Sequence, residues 1–396
     1  MTILRRLDAW LRLSRLNYPV PEHGRSFFFS LGGVVFSGFL FMILTGFILA
    51  QFYHPLPQQS YQSIEGIERV GWTSYLRALH YWTAQGIVLA ILLHMIRVFI
   101  TGAYKRPRQV TWWIGVALLA TMIMGSYFSG TILKWDQEGS DALHHYQETL
   151  RMLGPFGAPL TESLPGSAPM NLRIYVSHIV VFPILLTLLV VAHFYLIHVF
   201  NLSPTPWDRW SGVEEIPAKE IKGKFNEHAR SIVILSALYY GILAIVAFFV
   251  RAPLLDPPSG SQAAVKPPWP FLWMYGLENA WGIAAILYAS LAFFAFLFLV
   301  PFIDRKQDRR WPARKGILIL GAFVCLSLIG LSFYGWIAPA QIHGHGPGHS
   351  EGEMIDHSDP SPEPSHETGT HDPSPAPADT EKNHPHDPET PSDHDD

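Results

Sequence analysis

Apolar positions in this chain gather into long, nearly unbroken runs separated by polar, Pro- and Gly-bearing segments. Seven runs stand out, at roughly 27–53, 77–101, 111–133, 174–200, 231–251, 281–301 and 316–337. Each approaches or exceeds the ~20 residues a helix needs to cross a hydrocarbon layer. The pattern predicts an all-α membrane protein with seven transmembrane helices. An odd number of crossings puts the two termini on opposite faces.

Lys and Arg set the orientation, because positive residues flanking a span stay on the cytoplasmic side. Arg5, Arg6, Arg12, Arg15 and Arg25 precede the first run, and Lys105, Arg106 and Arg108 lie between the second and third. Arg209, Lys219, Lys222, Lys224 and Arg230 fall between the fourth and fifth, and Arg305, Lys306, Arg309, Arg310, Arg314 and Lys315 between the sixth and seventh. The alternate connections are poor in both residues, so the N-terminus is expected inside and the C-terminus outside. No cleavable leader is expected, since no apolar core follows the first arginines before residue 27. Residues 3–16 are instead expected to form an amphipathic helix on the cytoplasmic face.

Composition agrees with membrane residence: 49% of residues are hydrophobic and only 15% charged. No nucleic-acid partner is expected. The single cysteine, Cys325, excludes an intramolecular disulfide and reads as a small buried apolar residue of the seventh span. The chain divides into residues 1–205 with four spans, residues 206–340 with three, and residues 341–396, a tail rich in His, Asp and Pro. That extracytoplasmic tail is expected to be disordered, having too little apolar surface to offset its ordering entropy. Its scattered histidines read as solvated rather than as a metal site. Two outer segments, 134–172 and 252–280, are long enough to roof one site together.

Ionisable side chains inside a span are costly and by default functional. His80 and His94 lie fourteen residues apart in the second span. A helix of that length rises ~21 Å and returns to within ~40° of the same face. His178 and His193 lie fifteen apart in the fourth, and an α-helix would turn them ~60° from each other. A kink at Pro183 is expected to restore the facing geometry. The two spans run in the same sense, so His80 matches His178 in depth and His94 matches His193. Two stacked bis-histidine sites suit two haems, each iron taking two axial imidazoles with no open position for substrate. A flat ring between helices needs close backbone approach. Gly32 and Gly46 share the fourteen-residue interval in the first span, while Gly115 and Gly130 in the third are fifteen apart. Arg77, Arg97 and Arg173, three to five residues from a ligand, are candidates for the propionates.

These residues, with Leu31-Gly32-Gly33, Leu44-Thr45-Gly46, Arg77-Ala78-Leu79-His80, His94-Met95-Ile96-Arg97, Lys105-Arg106-Pro107-Arg108 and Trp135-Asp136-Gln137, resemble the cytochrome b family of cytochrome bc and bf complexes over residues 20–340. The fifteen-residue interval in span four, Pro183 and the seven spans are similar to the bf type, as if a four-helix haem-binding cytochrome were fused to a three-helix subunit IV. The resemblance implies two non-covalent b-type haems and quinol oxidation at the outer face. It also implies a Rieske iron–sulfur protein and a c-type cytochrome or equivalent acceptor as partners, a homodimeric complex, and a multi-pass location in the cell inner membrane.

The chain departs from the family at two places. The outer quinol site of the family carries Pro-Glu-Trp-Tyr, where this chain reads Pro267-Pro268-Trp269-Pro270. Tyr275 matches a site tyrosine of the family, and Glu278 is the candidate substitute proton acceptor. The bf-type cysteine that tethers an extra haem is replaced by Ser30, so no covalent third haem is expected. His198, five residues after His193, resembles a quinone-site histidine of the inner face, with Glu227 and His228 as weaker candidates. Two other functions fit parts of the pattern: a diheme membrane anchor serving a non-Rieske redox module, and a transporter relaying protons through its histidines.

Overall fold

The computed structural model describes residues 17–56, 58–161, 167–258 and 265–339. The expected helix at 3–16 and the 341–396 tail lie outside the described residues. Among the described residues seven helices are long and apolar enough to cross a membrane: Phe27–Leu49, Gly71–Thr101, Gln109–Ile132, Met170–Phe200, Phe225–Phe249, Ala284–Ile303 and Trp311–Ile337, called spans one to seven below. All seven coincide with the apolar runs. Spans two and four start earlier than their runs, carrying Arg77 and Arg173 inside the helix. Among the described residues the strand content is one two-residue antiparallel pair, Pro19–Val20 with Gly223–Lys224.

Local sequence sets the ends. Ser26 caps span one by accepting the Phe28 N–H, and Gly102 closes span two at φ 66°, a left-handed conformation that favours glycine. Asp136 accepts the Gly139 N–H at 2.9 Å to start a polar helix, Gln137–Arg151, in the long outer connection.

Two helical irregularities bear on the site. Span three contains a π-turn at Thr121–Tyr127 and span four another at Ser177–Val181. The expected kink at Pro183 is thus a π-turn just before it. A π-turn takes one extra residue into a single turn, because its hydrogen bonds run i to i+5. Of the two fifteen-residue intervals, Gly115 to Gly130 contains such a turn, and His178 to His193 begins within one. Each therefore behaves as the fourteen-residue interval of spans one and two.

Spans one and two pack together, spans three and four do the same, and span five lies against spans one and two. In hydrocarbon this association rests on contact rather than water exclusion, so small residues mark the seams. A Cβ on Gly33 or Gly38 would strike Ile232 or Tyr240 of span five, and one on Gly86 would strike Leu243. Span six joins through Trp112, whose indole donates to the Leu297 carbonyl at 2.8 Å, within a cluster holding Ile91, Val116 and Val300. Midway between the two histidine levels, Phe39, Leu118 and Leu186 of spans one, three and four form a packed layer. Cys325 is exposed on the outer surface of span seven, not buried as expected, because the apolar surroundings it satisfies lie outside the chain.

The connections sort to opposite ends. At one end Lys105 reaches Asp304, Arg108 donates to the carbonyls of Asn201 and Glu214 at 3.0 and 3.1 Å, and Arg309 donates to the Val213 carbonyl. These bonds tie the connections after spans two, four and six, and the strand pair adds the segment before span one. At the other end Tyr53 donates to the Leu133 carbonyl, Tyr61 to the Leu255 carbonyl, and the Leu255 N–H to Asp136. The alternation read from Lys and Arg matches this sorting.

Candidate functional site

His80 of span two and His178 of span four face each other with ring centroids 6.5 Å apart and planes at 64°. Two imidazoles on one metal, with bonds of about 2 Å each, place their centroids at about 6 Å. Thr45 lies 2.9 Å from His80 Nδ1 and Ser129 lies 3.0 Å from His178 Nδ1. Both hydroxyls already donate to backbone carbonyls, of Phe41 at 2.9 Å and Gly125 at 2.7 Å. They must therefore accept from the rings, which puts each proton on Nδ1 and frees each Nε2 lone pair for a metal.

His94 and His193 share a second cavity at the basic end, about 630 Å³, with Arg97, Thr111 and Gly115 in its wall. Here the hydrogen bonds differ. Arg97 Nη2 lies 3.2 Å from His94 Nδ1, and a guanidinium only donates, so that ring nitrogen is held as an acceptor. Freeing it for the outer-pair arrangement requires an anion to draw Arg97 away. Among the described residues Arg97 Nε and Thr111 Oγ1 are buried without hydrogen-bond partners around the same space. Such orphans are the polar fringe that a bound group with carboxylates would satisfy.

Every one of the four imidazoles is backed by a glycine. An added Cβ at Gly32 would lie 2.9 Å from His94 Cε1, at Gly130 3.0 Å from His178 Cε1, at Gly46 3.2 Å from His80 Cε1, and at Gly115 3.8 Å from His193 Cε1. Spans one and three thus supply the glycines and spans two and four the histidines. Among the described residues no group of three or more His, Cys, Asp or Glu is placed to hold a metal ion. Two imidazoles therefore need a partner that brings its own in-plane ligands, and the residues present fit haem.

The three arginines separate. Arg97 stands beside its ligand, buried, and over the Phe29 ring at 5.2 Å. Arg77 is taken by the Glu68 carboxylate and by the Ala252 carbonyl at 2.6 Å. Arg173 donates to the carbonyls of Pro159 and Leu160, both at 3.0 Å. The connections at this end thus hold acceptors for both Arg77 and Arg173.

The two roofing segments meet over a cavity of about 1410 Å³, lined by His145 and Tyr146 from one and by Pro268, Phe271, Tyr275 and Glu278 from the other. Tyr275 is buried and donates to the Pro339 carbonyl at 3.1 Å. Glu278 is 6% exposed, with both oxygens 3.0 Å from His145 Nε2. His145 was not singled out in the sequence. It is one of nineteen histidines, and its only signal was membership of the long outer connection. Burial opposes charge on its ring, yet the hydrogen bond and charge of Glu278 outweigh that and raise its pKa. Trp269 donates to Gln85 at 2.7 Å.

At the basic end His198 is exposed and edge-on to Tyr18 at 4.6 Å, and it is not among the residues lining the His94–His193 cavity. Glu227 pairs with Arg25 at 3.0 Å, and His228 engages the Gly24 carbonyl. The structure thus gathers the histidine pairs, Tyr275 and Glu278, and at the basic end links His198 through Tyr18 and Phe225 to His228.

Comparison with known proteins converges on one family. The family described as Cytochrome b(N-terminal)/b6/petB matches residues 85–257. Cytochrome b6 of Heliomicrobium gestii is 35% identical over 192 residues, covering 47% of this chain and 90% of that protein. Cytochrome b6 of Gracilaria tenuistipitata var. liui is 32% identical over 191 residues, covering 46% of this chain and 87% of that protein. A chain of a hyperthermophilic respiratory Complex III has the same fold, with a TM-score of 0.66 at 20% identity over 85% of this chain and 92% of that one. The chain belongs to the cytochrome b family, on the side of the b6 proteins, and with that family goes haem b as its cofactor.

Proposed function

We propose that this protein is the two-haem cytochrome b subunit of a quinol-oxidising complex, with His80 and His178 holding the outer haem and His94 and His193 the inner. The observation that carries this reading is the repeated unit of two histidines, one from span two and one from span four, sharing one space and backed by glycines at both levels of one bundle. When bound, two haems at these levels supply a path for one electron across the membrane, past the packed layer of Phe39, Leu118 and Leu186.

The chain's own residues do the rest. Thr45 and Ser129 hold the outer ligands in one tautomer, and Arg97 offers a cation to a propionate. Tyr275 and Glu278 present a hydroxyl and a carboxylate to a quinol in the outer cavity, where Glu278 accepts a proton. A carboxylate in that cavity favours the quinol site over the diheme-anchor reading, which rested on Pro268 and Pro270. His198, facing the opposite end, is assigned to the inner quinone. Residues 1–205 then form the haem part and 206–340 the quinol-site part, in a homodimeric complex with a Rieske protein and a c-type cytochrome or equivalent acceptor. The N-terminus lies in the cytoplasm, and the membrane is the cell inner membrane.

Purification of the intact complex tests this. Reduced-minus-oxidised spectra are expected to report two b-type haems per chain. His80→Leu or His178→Leu should remove one haem and His94→Leu or His193→Leu the other. Retention of both signals in any of the four would refute the pairing, and a complex without a Rieske centre would refute the quinol-oxidising assignment.

A further inference from the structure

We propose that His145 and Glu278 act as one proton-accepting dyad at the outer cavity, in place of the single carboxylate missing from Pro267-Pro268-Trp269-Pro270. This rests on reading that cavity as the place where quinol is oxidised. The two side chains come from opposite walls, His145 from the helix Gln137–Arg151 and Glu278 from the helix Leu272–Trp281.

The hydrogen bonds fix how many protons the pair holds. His145 Nδ1 lies 2.7 Å from the Asp141 carbonyl, which only accepts, so Nδ1 carries a proton. Nε2 stands 3.0 Å from both Glu278 oxygens, and that contact holds one further proton. The pair is therefore neutral as a unit, with the shared proton lying between Nε2 and the carboxylate. Among the described residues the ionisable groups around it include Glu138, Asp141, His144 and Tyr146 on the histidine's own helix, Tyr275 beside Glu278, and Lys266 from the facing segment. Glu138 is itself paired with Lys134.

Oxidation of a quinol removes two electrons and two protons. The electrons go to two one-electron acceptors, an iron–sulfur partner and the outer haem. One proton leaves the first quinol O–H bond for the iron–sulfur partner together with its electron; for the other, the second quinol O–H bond breaks and a Glu278 O–H bond forms, leaving the pair with one extra positive charge. His145 is the more open member, with 20% of its side chain accessible against 5% for Glu278. Loss of a proton from His145 to the outer aqueous phase returns the pair to its one-proton state. The carboxylate thus meets the substrate, and the histidine is the exit.

The test compares His145→Gln, Glu278→Gln and Glu278→Asp in the intact complex, measuring turnover of a synthetic quinol between about pH 5 and pH 9. Both Gln variants are expected to lose about a hundredfold in kcat, with KM and haem spectra unchanged and the wild-type pH limb absent. Glu278→Asp should recover much of the rate. A wild-type rate and pH profile in His145→Gln would overturn the dyad. Ala142→Trp, which fills the same cavity, separates the two levels of the argument. If it abolishes turnover while His145→Gln is silent, the dyad alone falls; if it leaves turnover intact, the cavity is not the quinol site and both fall.

Discussion

The four glycines behind the histidines make a graded experiment. Ordinary contact between carbon atoms lies at about 3.5–4.0 Å, so a Cβ placed 2.9 Å from His94 Cε1 by Gly32→Ala forces that ring back by about 0.6 Å. Overpacking of this kind costs about 1–3 kcal/mol, while Ala in place of Gly inside a helix returns about 0.8–1.0 kcal/mol. The net loss at Gly32 is about 0–2 kcal/mol, or up to roughly thirtyfold in retention of the inner haem. The same reasoning gives nearly the same loss at Gly130 for the outer haem, a smaller one at Gly46, and none at Gly115, where the added carbon sits at 3.8 Å in normal contact. Gly241 in span five has open space around it and serves as the control. Haem-to-protein ratios and difference spectra of the purified complex read the series directly. Equal damage at Gly115 and Gly32, or loss of haem in Gly241→Ala, would refute the claim that these glycines are spaced for the imidazoles.

Three further outcomes follow from other contacts. Thr45→Ala and Ser129→Ala each remove a ring hydrogen bond of about 1 kcal/mol and should shift the outer haem potential alone; a shift of the inner potential in redox titration would contradict the assignment. Asp304 is buried between Lys105, Tyr104 and Arg314, and Asp304→Ala should cost about 3–5 kcal/mol by leaving the cations unpaired, read as a fall in thermal stability. Burial works against ionisation of Asp304, but Lys105 and its other donors hold its pKa below the usual value. Its contribution is therefore complete above about pH 4 and disappears as pH falls through the lowered pKa, and an Asp304→Asn variant should lack that acid-dependent loss. The His145–Glu278 pair behaves oppositely: the raised histidine pKa means that its stabilisation is complete below about pH 6.5 and declines as pH rises through the folded value. Loss of stability on acidification in that range, dependent on His145, would contradict it.

Much of the bundle was readable because hydrocarbon imposes simple rules: runs of ~20 apolar residues, basic connections on one side, and costly polar groups only where they serve. The histidine pairs followed from helical arithmetic alone. One signal was present but unread: each outer glycine is preceded by a hydroxyl residue, Thr45 before Gly46 and Ser129 before Gly130, and those hydroxyls orient the outer ligands. His145 was beyond reach, since its partner Glu278 is 133 residues away and nothing local distinguishes it from His144. Arg77 and Arg173 lie near His80 and His178 in sequence, but guanidinium groups reach several ångströms and the connections also hold acceptors for both.

The π-turn in span four gives that helix a tolerance that span two lacks. Deleting one residue within Ser177–Val181, Val180 for instance, is absorbed by relaxing the turn to α, so the ligands end fourteen residues apart and still on one face. Deleting one residue between His80 and His94, where the helix has no slack, swings the later histidine ~100° around the axis and shifts it ~1.5 Å in depth. Length changes in the two ligand-bearing helices are therefore unequal in effect, and the bulge stores one residue that the chain is free to lose.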